Sequence, residues 1–321
     1  MRAIVVADDS ARSLVWAEVP APTIGPEQVR VRAHATAVNR ADLLQRRGLY
    51  PVPPGASDIL GLEVAGTIAA VSGWRVGDRV CALLEGGGYA EEVAVDASML
   101  IAVPESMSFV DAAALPEVVY TAYLNVVVEP ALQPGESVLV HAAASGVGTA
   151  AVQLCKALGH TCYATTTGAK LDVVRALGAT AVFDRQADDF ERAIAEATGK
   201  RGVDVILDPV GGSYLEKNVR CLAEGGRLVN IGLLGGTSAQ LDIARLLTRR
   251  LRIIGSVLRS RSRAEKVAIT AGLLRDVWPH VTAGAIRPVV ERTFPIAEAG
   301  AAHALLGTNA TVGKIVLTLD R

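Results

Sequence analysis

Apolar and polar positions change their pattern once along the chain. Up to about Leu115, short apolar segments alternate with turns rich in Gly and Pro, a pattern that predicts strands of a β-rich domain. The predicted strands of this region are Arg2–Val6, Gln28–Val38, Glu63–Val71, Asp78–Leu83 and Tyr89–Val95.

From Ser137 to Val257, strand-length apolar segments instead alternate with helical segments. Strands that are separated by crossover helices pair in parallel, so this region predicts a doubly wound α/β domain. The predicted strands are Val138–His141, Thr161–Ala164, Ala181–Asp184, Val203–Asp208, Arg227–Gly232 and Arg252–Val257.

The remaining segments connect the two regions. Ser108–Pro134, with Thr121 in its apolar middle, is predicted as a linking helix. We expect the last 60 residues to return to the first domain, so the predicted domains are 1–120 with 262–321, and 121–261. The predicted elements of these last 60 residues are helix Ser262–Val281, strand Val289–Phe294, helix Ile296–Leu306 and strand Lys314–Leu319.

A glycine turn joins the first parallel strand to the next helix. That helix begins with free backbone N–H groups and the positive end of its dipole, which suit an anion. Ala143 and Ser145 replace the first two glycines of the strict dinucleotide pattern, while Gly148 allows the helix to pack closely on the strand. The pyrophosphate of a dinucleotide is predicted to bind at Ser145, Gly146, Val147 and Gly148.

The second parallel strand indicates which dinucleotide is bound. An acid about 20 residues past the turn usually accepts hydrogen bonds from the adenosine ribose of NAD. The segment Thr165–Lys170 contains no acid. Thr167 and Lys170 offer a hydroxyl and a cation to a 2′-phosphate, so NADPH is the predicted cofactor. The alternative for Lys170 is a solvated lysine in a first helical turn.

Composition excludes several classes of protein. The 321 residues are 50% hydrophobic and 20% charged, as in globular proteins, and 32 Lys and Arg balance 33 Asp and Glu. A net charge of −1 argues against a nucleic-acid partner. No apolar run reaches the about 18 residues of a membrane span, and the four cysteines lie scattered in apolar segments. We therefore expect a cytoplasmic protein with reduced, buried thiols.

Seven segments together resemble the medium-chain dehydrogenase/reductase superfamily, and specifically its zinc-free quinone oxidoreductase branch. The resemblance spans nearly the whole chain and is carried by residues 37–42, 47–51, 54–66, 77–81, 141–148, 211–214 and 313–316. Residues 208–218 and 256–261 resemble in particular the stress-inducible quinone oxidoreductases of the tumour-suppressor-induced type.

This resemblance implies a GroES-like β-barrel catalytic domain, a Rossmann domain and NADPH in the cleft between them. It also implies a homodimer that forms through Rossmann edge strands. It places Thr121 near the nicotinamide ribose, and Arg185 where relatives often hold the adenosine phosphate with a tyrosine. Arg185 is equally compatible with a plain surface position. Gly232 and Leu233, at the end of a parallel strand, are predicted to face the nicotinamide half.

The chain departs from the zinc-containing relatives at their ligand positions. Asn39 and Leu62 stand where those enzymes have a Cys and a His, and the four-cysteine lobe is absent. Because zinc needs three or four close Cys, His or carboxylate ligands, no metal is predicted. Glu63 is interpreted as a structural acid that hydrogen-bonds to backbone.

Without a Lewis acid, the substrate must accept hydride readily. Quinones and α,β-unsaturated carbonyl compounds do so, because the added electrons move onto an oxygen that needs only hydrogen-bond donors and a solvent proton. The resemblance places Asn39 and Tyr50 beside the nicotinamide, and they are the predicted donors. The alternatives are a turn-capping Asn39 and a rim tyrosine.

Three functions therefore stay open. The first is an NADPH-dependent quinone oxidoreductase that transfers hydride or single electrons to small quinones. The second is an NADPH-dependent enone or enal reductase. The third belongs to another class, a dinucleotide-binding redox sensor or RNA-binding protein with little turnover.

Overall fold

The structure, a computed structural model, describes residues 1–70 and 73–319. The chain divides into two compact units. Unit 1 comprises Met1–Tyr120, Arg259–Asp276 and Pro288–Arg321, and unit 2 comprises Thr121–Leu258 and Val277–Arg287.

This division differs from the predicted domain boundaries in two segments. Residues 277–287 belong to unit 2, where the side-chain amide of Gln153 exchanges two hydrogen bonds of 3.0 Å with the backbone of Arg287. Arg259 belongs to unit 1, where its Nε donates to the carbonyl oxygen of Glu85 at 2.7 Å. Both contacts join residues far apart in sequence, so the chain pattern gave no sign of them.

Mostly antiparallel strands form unit 1. Strand β3 lies at the centre of its large sheet, beside β4, β6 and β15. Residues 28–33 alternate between buried and less buried positions, and residues 35–38 are all buried. Val29 and Val31 are fully buried, whereas Arg32 is exposed, as a strand with one covered face requires. The strands are β1 Arg2–Val6, β2 Leu14–Glu18, β3 Gln28–Val38, β4 Glu63–Ala70, β5 Arg79–Leu83, β6 Glu92–Asp96, β7 Ile101–Ala102, β14 Val290–Pro295 and β15 Lys314–Thr318.

The five strands predicted before Leu115 are present with small changes of boundary, and the end of the third at Val71 lies outside the described residues. Strand β2, which was not predicted, pairs antiparallel with β1 in the register Arg2 to Glu18. Its exposed and half-buried residues carry little apolar signal.

A six-stranded sheet forms unit 2, and all its neighbouring strands pair in parallel in the order β10-β9-β8-β11-β12-β13. This order confirms the predicted doubly wound α/β fold. The central strands β8 and β11 are buried along their whole length, because helices cover both faces of such sheets. The strands are β8 Ser137–Val140, β9 Thr161–Thr166, β10 Ala181–Asp184, β11 Val203–Asp208, β12 Leu222–Asn230 and β13 Arg252–Gly255.

Two predicted long helices are interrupted at prolines. The linking segment consists of α2, α3 and a π-helical segment Tyr123–Val128, and Pro116 begins α3. The predicted helix Ser262–Val281 is two helices, because Pro279 lacks an N–H group and starts a new turn. The α-helices are α1 Arg40–Arg46, α2 Phe109–Ala113, α3 Pro116–Ala122, α4 Gly146–Ala157, α5 Leu171–Leu177, α6 Phe190–Ala197, α7 Leu215–Cys221, α8 Ile243–Thr248, α9 Arg263–Asp276, α10 Trp278–Thr282 and α11 Ala299–Gly307.

Among the described residues, no helix has both the length and the apolar character needed to cross a membrane. All four cysteines are buried and free. Strand β13 is an edge strand of the parallel sheet, and the half-exposed Val257 follows it closely, while the homodimer expected at such an edge stays a prediction.

Candidate functional site

The turn between β8 and α4 carries the predicted pyrophosphate site. Ser145 is the N-cap of α4, and its Oγ accepts a hydrogen bond of 3.1 Å from the Gly148 backbone N–H. Within the described part of the chain, the N–H groups of Gly146 and Val147 have no protein acceptor. Two backbone donors at the first turn of a 12-residue helix suit an anionic group, so the turn fits a dinucleotide pyrophosphate.

Gly148 is required by packing. A Cβ at this position would lie 2.5 Å from the carbonyl oxygen of Ala142 and 2.6 Å from Cα of Ala143. Gly148 therefore allows α4 to pack closely on the turn that follows β8. Its predicted packing on the strand and its contact with a cofactor stay predictions. Ala142 itself has φ of 50°, a strained value for a residue with a side chain.

The residues predicted to hold a 2′-phosphate lie together at the carboxyl ends of β9 and β10. Thr167 precedes a 3₁₀ turn at Gly168–Lys170, and its carbonyl oxygen accepts a bond of 2.8 Å from the Lys170 N–H. Arg185 follows β10, and its N–H donates to Thr166 of β9 at 2.8 Å. Thr167, Lys170 and Arg185 thus share one edge of the sheet.

The structure adds a carboxylate to this group. A Cβ built on Gly168 would lie 2.6 Å from Oδ2 of Asp184, the last residue of β10. This acid comes from the neighbouring strand β10, so the residues that follow β9 in the sequence gave no sign of it. Asp184 opposes a 2′-phosphate electrostatically, whereas Lys170 and Arg185 attract one.

The remaining predicted cofactor residues also have defined positions. Gly232 follows β12 and cannot carry a side chain, because a Cβ would lie 2.6 Å from the Pro209 carbonyl oxygen. Leu233 is 59% exposed, and Thr121 in α3 is buried. Their contacts with a nicotinamide stay predictions.

Asn39, one of the two predicted donors, lies in a buried network of unit 1. Its Nδ2 donates to Oε1 of Glu63 at 2.8 Å, and its Oδ1 accepts from Nζ of Lys314 at 2.5 Å. Asn39 is also the N-cap of α1. The side-chain amide therefore already has protein partners on both of its ends, and its predicted role as a donor to substrate stays a prediction.

Glu63 and Lys314 form a buried ion pair at 2.8 Å, with exposed side-chain fractions of 0% and 4%. The second carboxylate oxygen of Glu63 accepts from the Glu117 backbone N–H at 2.9 Å. This contact agrees with the structural role interpreted for Glu63. Lys314 belongs to a segment that carried the family resemblance, but the sequence did not show what the lysine contacts.

A second buried acid lies next to this network. Asp42 accepts hydrogen bonds from the backbone N–H of Asn39 at 2.7 Å and of Gly61 at 3.1 Å, and from the Tyr89 hydroxyl at 3.2 Å. Burial raises the pKa of Asp42 to about 6 in spite of these donors. His303, whose Nε2 lies 3.1 Å from the Tyr89 hydroxyl, has its pKa lowered to about 3 by burial.

Tyr50, the other predicted donor, has a different environment. It is partly buried, and its hydroxyl has no hydrogen-bond partner among the described residues. The guanidinium carbon of Arg259 lies 5.2 Å from the centre of the Tyr50 ring. Burial raises the pKa of Tyr50. The structure thus places Tyr50 against Arg259. Whereas the Asn39 amide is hydrogen-bonded to Glu63 and Lys314, the Tyr50 hydroxyl has no partner among the described residues.

Arg259 was not predicted as a site residue. It is 6% exposed, and its Nη1 and Nη2 have no acceptor within the described chain. Burial lowers the pKa of the guanidinium. The segment 256–261 contributed to the family resemblance, which was the only sequence signal for this residue.

The residues present do not fit a zinc ion. In the described parts of the chain, no group of three or more His, Cys, Asp or Glu side chains could hold a metal. At the positions where zinc-containing relatives have a Cys and a His, the amide of Asn39 is engaged with Glu63 and Lys314, and Leu62 has no donor atom.

The fold and the glycine turn define a class: a two-unit oxidoreductase that binds a pyridine dinucleotide. Family models identify both parts of the chain, an alcohol dehydrogenase GroES-like domain at residues 25–105 and a zinc-binding dehydrogenase domain at 146–271. The chain belongs to the medium-chain dehydrogenase/reductase superfamily. Its fold is a GroES-like domain followed by a Rossmann-like parallel sheet, as predicted.

Two curated relatives cover most of the chain. The human synaptic vesicle membrane protein VAT-1 homolog is 34% identical in an alignment of 317 positions that covers 93% of this chain and 80% of the relative. A 2-haloacrylate reductase from a Burkholderia species is 32% identical in an alignment of 332 positions that covers 99% of this chain and 98% of the relative. The resemblance to one quinone oxidoreductase subgroup is not confirmed by these relatives.

Solved structures agree in fold and differ in the cofactor that they name. A mycobacterial protein complexed with NADPH has a TM-score of 0.86 at 31% identity and covers 99% of this chain and 100% of its own. An NAD-dependent alcohol dehydrogenase has a TM-score of 0.87 at 31% identity, with both chains fully covered. The protein is thus a pyridine-nucleotide-dependent oxidoreductase.

Proposed function

We propose that the protein reduces small quinones with NADPH and without a metal ion. The observation that carries the proposal is the bonding state of Tyr50, whose hydroxyl has no protein partner in the described residues while a cation lies over its ring. A donor without a partner can hydrogen-bond to an acceptor oxygen as negative charge develops on it. Quinone reduction needs that charge stabilisation and no Lewis acid.

The cofactor-binding residues have separate roles in this proposal. The backbone N–H groups of Gly146 and Val147 bind the pyrophosphate at the start of α4. Thr167, Lys170 and Arg185 bind the 2′-phosphate. The bound dinucleotide supplies a hydride. Tyr50 orients the acceptor and stabilises its oxygen, which then takes a proton from solvent.

A second candidate is the reduction of the C=C bond of enones and enals. The relative named as a 2-haloacrylate reductase favours it, because a haloacrylate is a conjugated carbonyl compound. Hydride would add to the β carbon, the π electrons would move to the carbonyl oxygen, and a proton would return to the α carbon. The same Tyr50 hydroxyl serves both candidates. Dinucleotide binding with little turnover is the third outcome.

An acceptor panel tests these functions. NADPH consumption is measured with 1,4-benzoquinone, a naphthoquinone, an orthoquinone, an enal and a simple ketone, each with an NADH control. We expect turnover of the quinones and none of the ketone, because a ketone needs stronger polarisation of its carbonyl group. Enal-selective turnover would support the C=C reductase, and NADPH binding without any turnover would contradict both enzymatic proposals.

The cofactor preference is tested separately at the edge of β9. Lys170→Ala should weaken NADPH binding about tenfold, the effect of one lost ion pair with phosphate, and leave NADH binding nearly unchanged. Fluorescence titration of both cofactors measures the two dissociation constants. Asp184→Asn is the matched variant, because removing the opposing charge should tighten NADPH binding alone. Equal changes for both cofactors would contradict the 2′-phosphate assignment.

A further inference from the structure

Arg259 is a buried cation whose two Nη atoms have no hydrogen-bond acceptor among the described residues. Its Nε donates to the carbonyl oxygen of Glu85 at 2.7 Å. The carboxylate of Glu85 contacts Nζ of Lys266 instead, and that Nζ also donates to the Arg259 carbonyl oxygen at 2.7 Å. The carboxylate of Glu85 is thus already paired with a lysine.

Other acids near this part of unit 1 are also engaged. Asp42 accepts three hydrogen bonds, from Asn39, Gly61 and Tyr89. The carboxylates of Asp42, Glu117 and Glu85 act on the guanidinium electrostatically, but none of the described residues accepts a hydrogen bond from its two Nη atoms. Two buried charged donors without acceptors are costly, so proteins retain such a group where a ligand supplies the acceptors.

The shape of the donor group indicates the ligand. Two Nη atoms of one guanidinium form a planar fork that matches the two oxygens of a carboxylate. The fork is fixed by the Nε bond to Glu85 and by contact with the Tyr50 ring, so little side-chain entropy is lost when an anion binds. Tyr50 is also the residue proposed to bind the acceptor oxygen.

We propose that Arg259 binds a carboxylate group on the conjugated carbonyl substrate. This inference rests on the proposed reduction of a conjugated acceptor and narrows its class to acidic compounds. Arg259 is a specificity residue that holds the carboxylate and takes no part in the hydride transfer. Tyr50 binds the carbonyl oxygen of the same molecule.

A matched pair of substrates tests the inference. One is trans-4-oxopent-2-enoate, and the other is its methyl ester, which has the same enone without the charge. The variants are Arg259→Met and Arg259→Lys, with Arg275→Met as control, because Arg275 lies on the exposed surface of α9 beside Asp276. Steady-state NADPH oxidation gives kcat and KM for each pair.

We expect the wild type to prefer the acid. Arg259→Met should lower kcat/KM for the acid by on the order of 100-fold, mostly through KM, and change the ester less than about threefold. Arg259→Lys should recover part of the loss, since it keeps the charge and loses the fork. Arg275→Met should match the wild type. Equal losses on acid and ester would overturn the inference, because the fork would then act on the carbonyl oxygen.

A binding measurement tests the carboxylate site at Arg259 without depending on the proposed catalytic function. Calorimetry follows binding of 4-oxopentanoate, the saturated product, to the protein with NADP⁺. Binding that is lost in Arg259→Met would support the carboxylate site even if no acceptor were turned over. Turnover of the ester with no preference for the acid would overturn the carboxylate site and leave the reductase standing. Weaker NADPH binding in Arg259→Met would overturn it too, because the fork would then hold a cofactor phosphate.

Discussion

Two of the buried cations of unit 1, Lys314 and Arg259, have opposite surroundings. Nζ of Lys314 contacts Glu63 at 2.8 Å, Asn39 at 2.5 Å and the Val38 carbonyl oxygen at 3.1 Å, so its donors are used within the protein. Arg259 is about as deeply buried, yet two of its nitrogen atoms have no acceptor in the described residues.

The difference separates a structural group from a binding group. A charge that is fully paired inside the protein stabilises the fold and has no donor left for a ligand. A charge that the protein leaves unpaired costs stability, and that cost is accepted where a ligand removes it. By this comparison, Lys314 and Glu63 hold unit 1 together, whereas Arg259 serves the substrate.

The largest effect on stability is expected from replacing Lys314, the cation that is paired with Glu63. Lys314→Met leaves the Glu63 carboxylate buried without its cation, which should lower the free energy of unfolding by about 3–5 kcal/mol. Urea denaturation followed by circular dichroism measures this change. The double variant Lys314→Met with Glu63→Gln removes both charges, so its free energy of unfolding should fall less than that of the single variant. A double variant as unstable as the single one would show that the ion pair itself matters little.

The next effect concerns the acid beside this pair. Burial raises the pKa of Asp42 from 3.8 to about 6, so the folded protein holds a proton that the unfolded chain releases between these values. The stability that this group contributes is full below pH 4 and is lost as pH rises through 6, a fall of about 3 kcal/mol.

Asp42→Asn should remove that fall. Urea denaturation of the wild type and of Asp42→Asn at steps from pH 4.5 to 7.5 gives the difference in unfolding free energy. We expect the stability of the wild type relative to Asp42→Asn to increase as the pH is lowered from 7.5 to 4.5. His303 titrates with the opposite sign, because its pKa is lowered to about 3, but it is present in both proteins and cancels. A difference that does not change with pH would contradict the raised pKa.

Much of the fold could be predicted from the sequence, because its strands have local signals. The first half of strand β3 alternates buried and less buried residues, and β8 and β11 are short segments that are buried along their whole length. Strand β2 lacks such a signal and depends on its partner β1. The glycine turn at Gly148 was also visible, since it is set by residues close together in the chain.

The sites were less visible, because their contacts join distant segments. Asp184 reaches the loop after β9 from the next strand of the sheet. Lys314 meets Asn39 across 275 residues, and Arg259 meets Glu85 across 174. The family resemblance suggested Asn39 and Tyr50 equally as donors. The three-dimensional contacts distinguish the engaged Asn39 amide from the Tyr50 hydroxyl, which has no partner among the described residues.

The smallest effect on stability is expected from replacing Arg259. This variant is also the most direct test of the contrast between Arg259 and Lys314. Arg259→Met loses the Nε bond to Glu85 but also removes a buried charge with two Nη atoms that lack acceptors among the described residues. The two effects should cancel to within about 1 kcal/mol. Urea denaturation without ligand measures the change. A loss near that of Lys314→Met would show that the guanidinium is a structural group. An unchanged unfolding free energy together with lost binding of 4-oxopentanoate would show that the fold keeps Arg259 for its ligand.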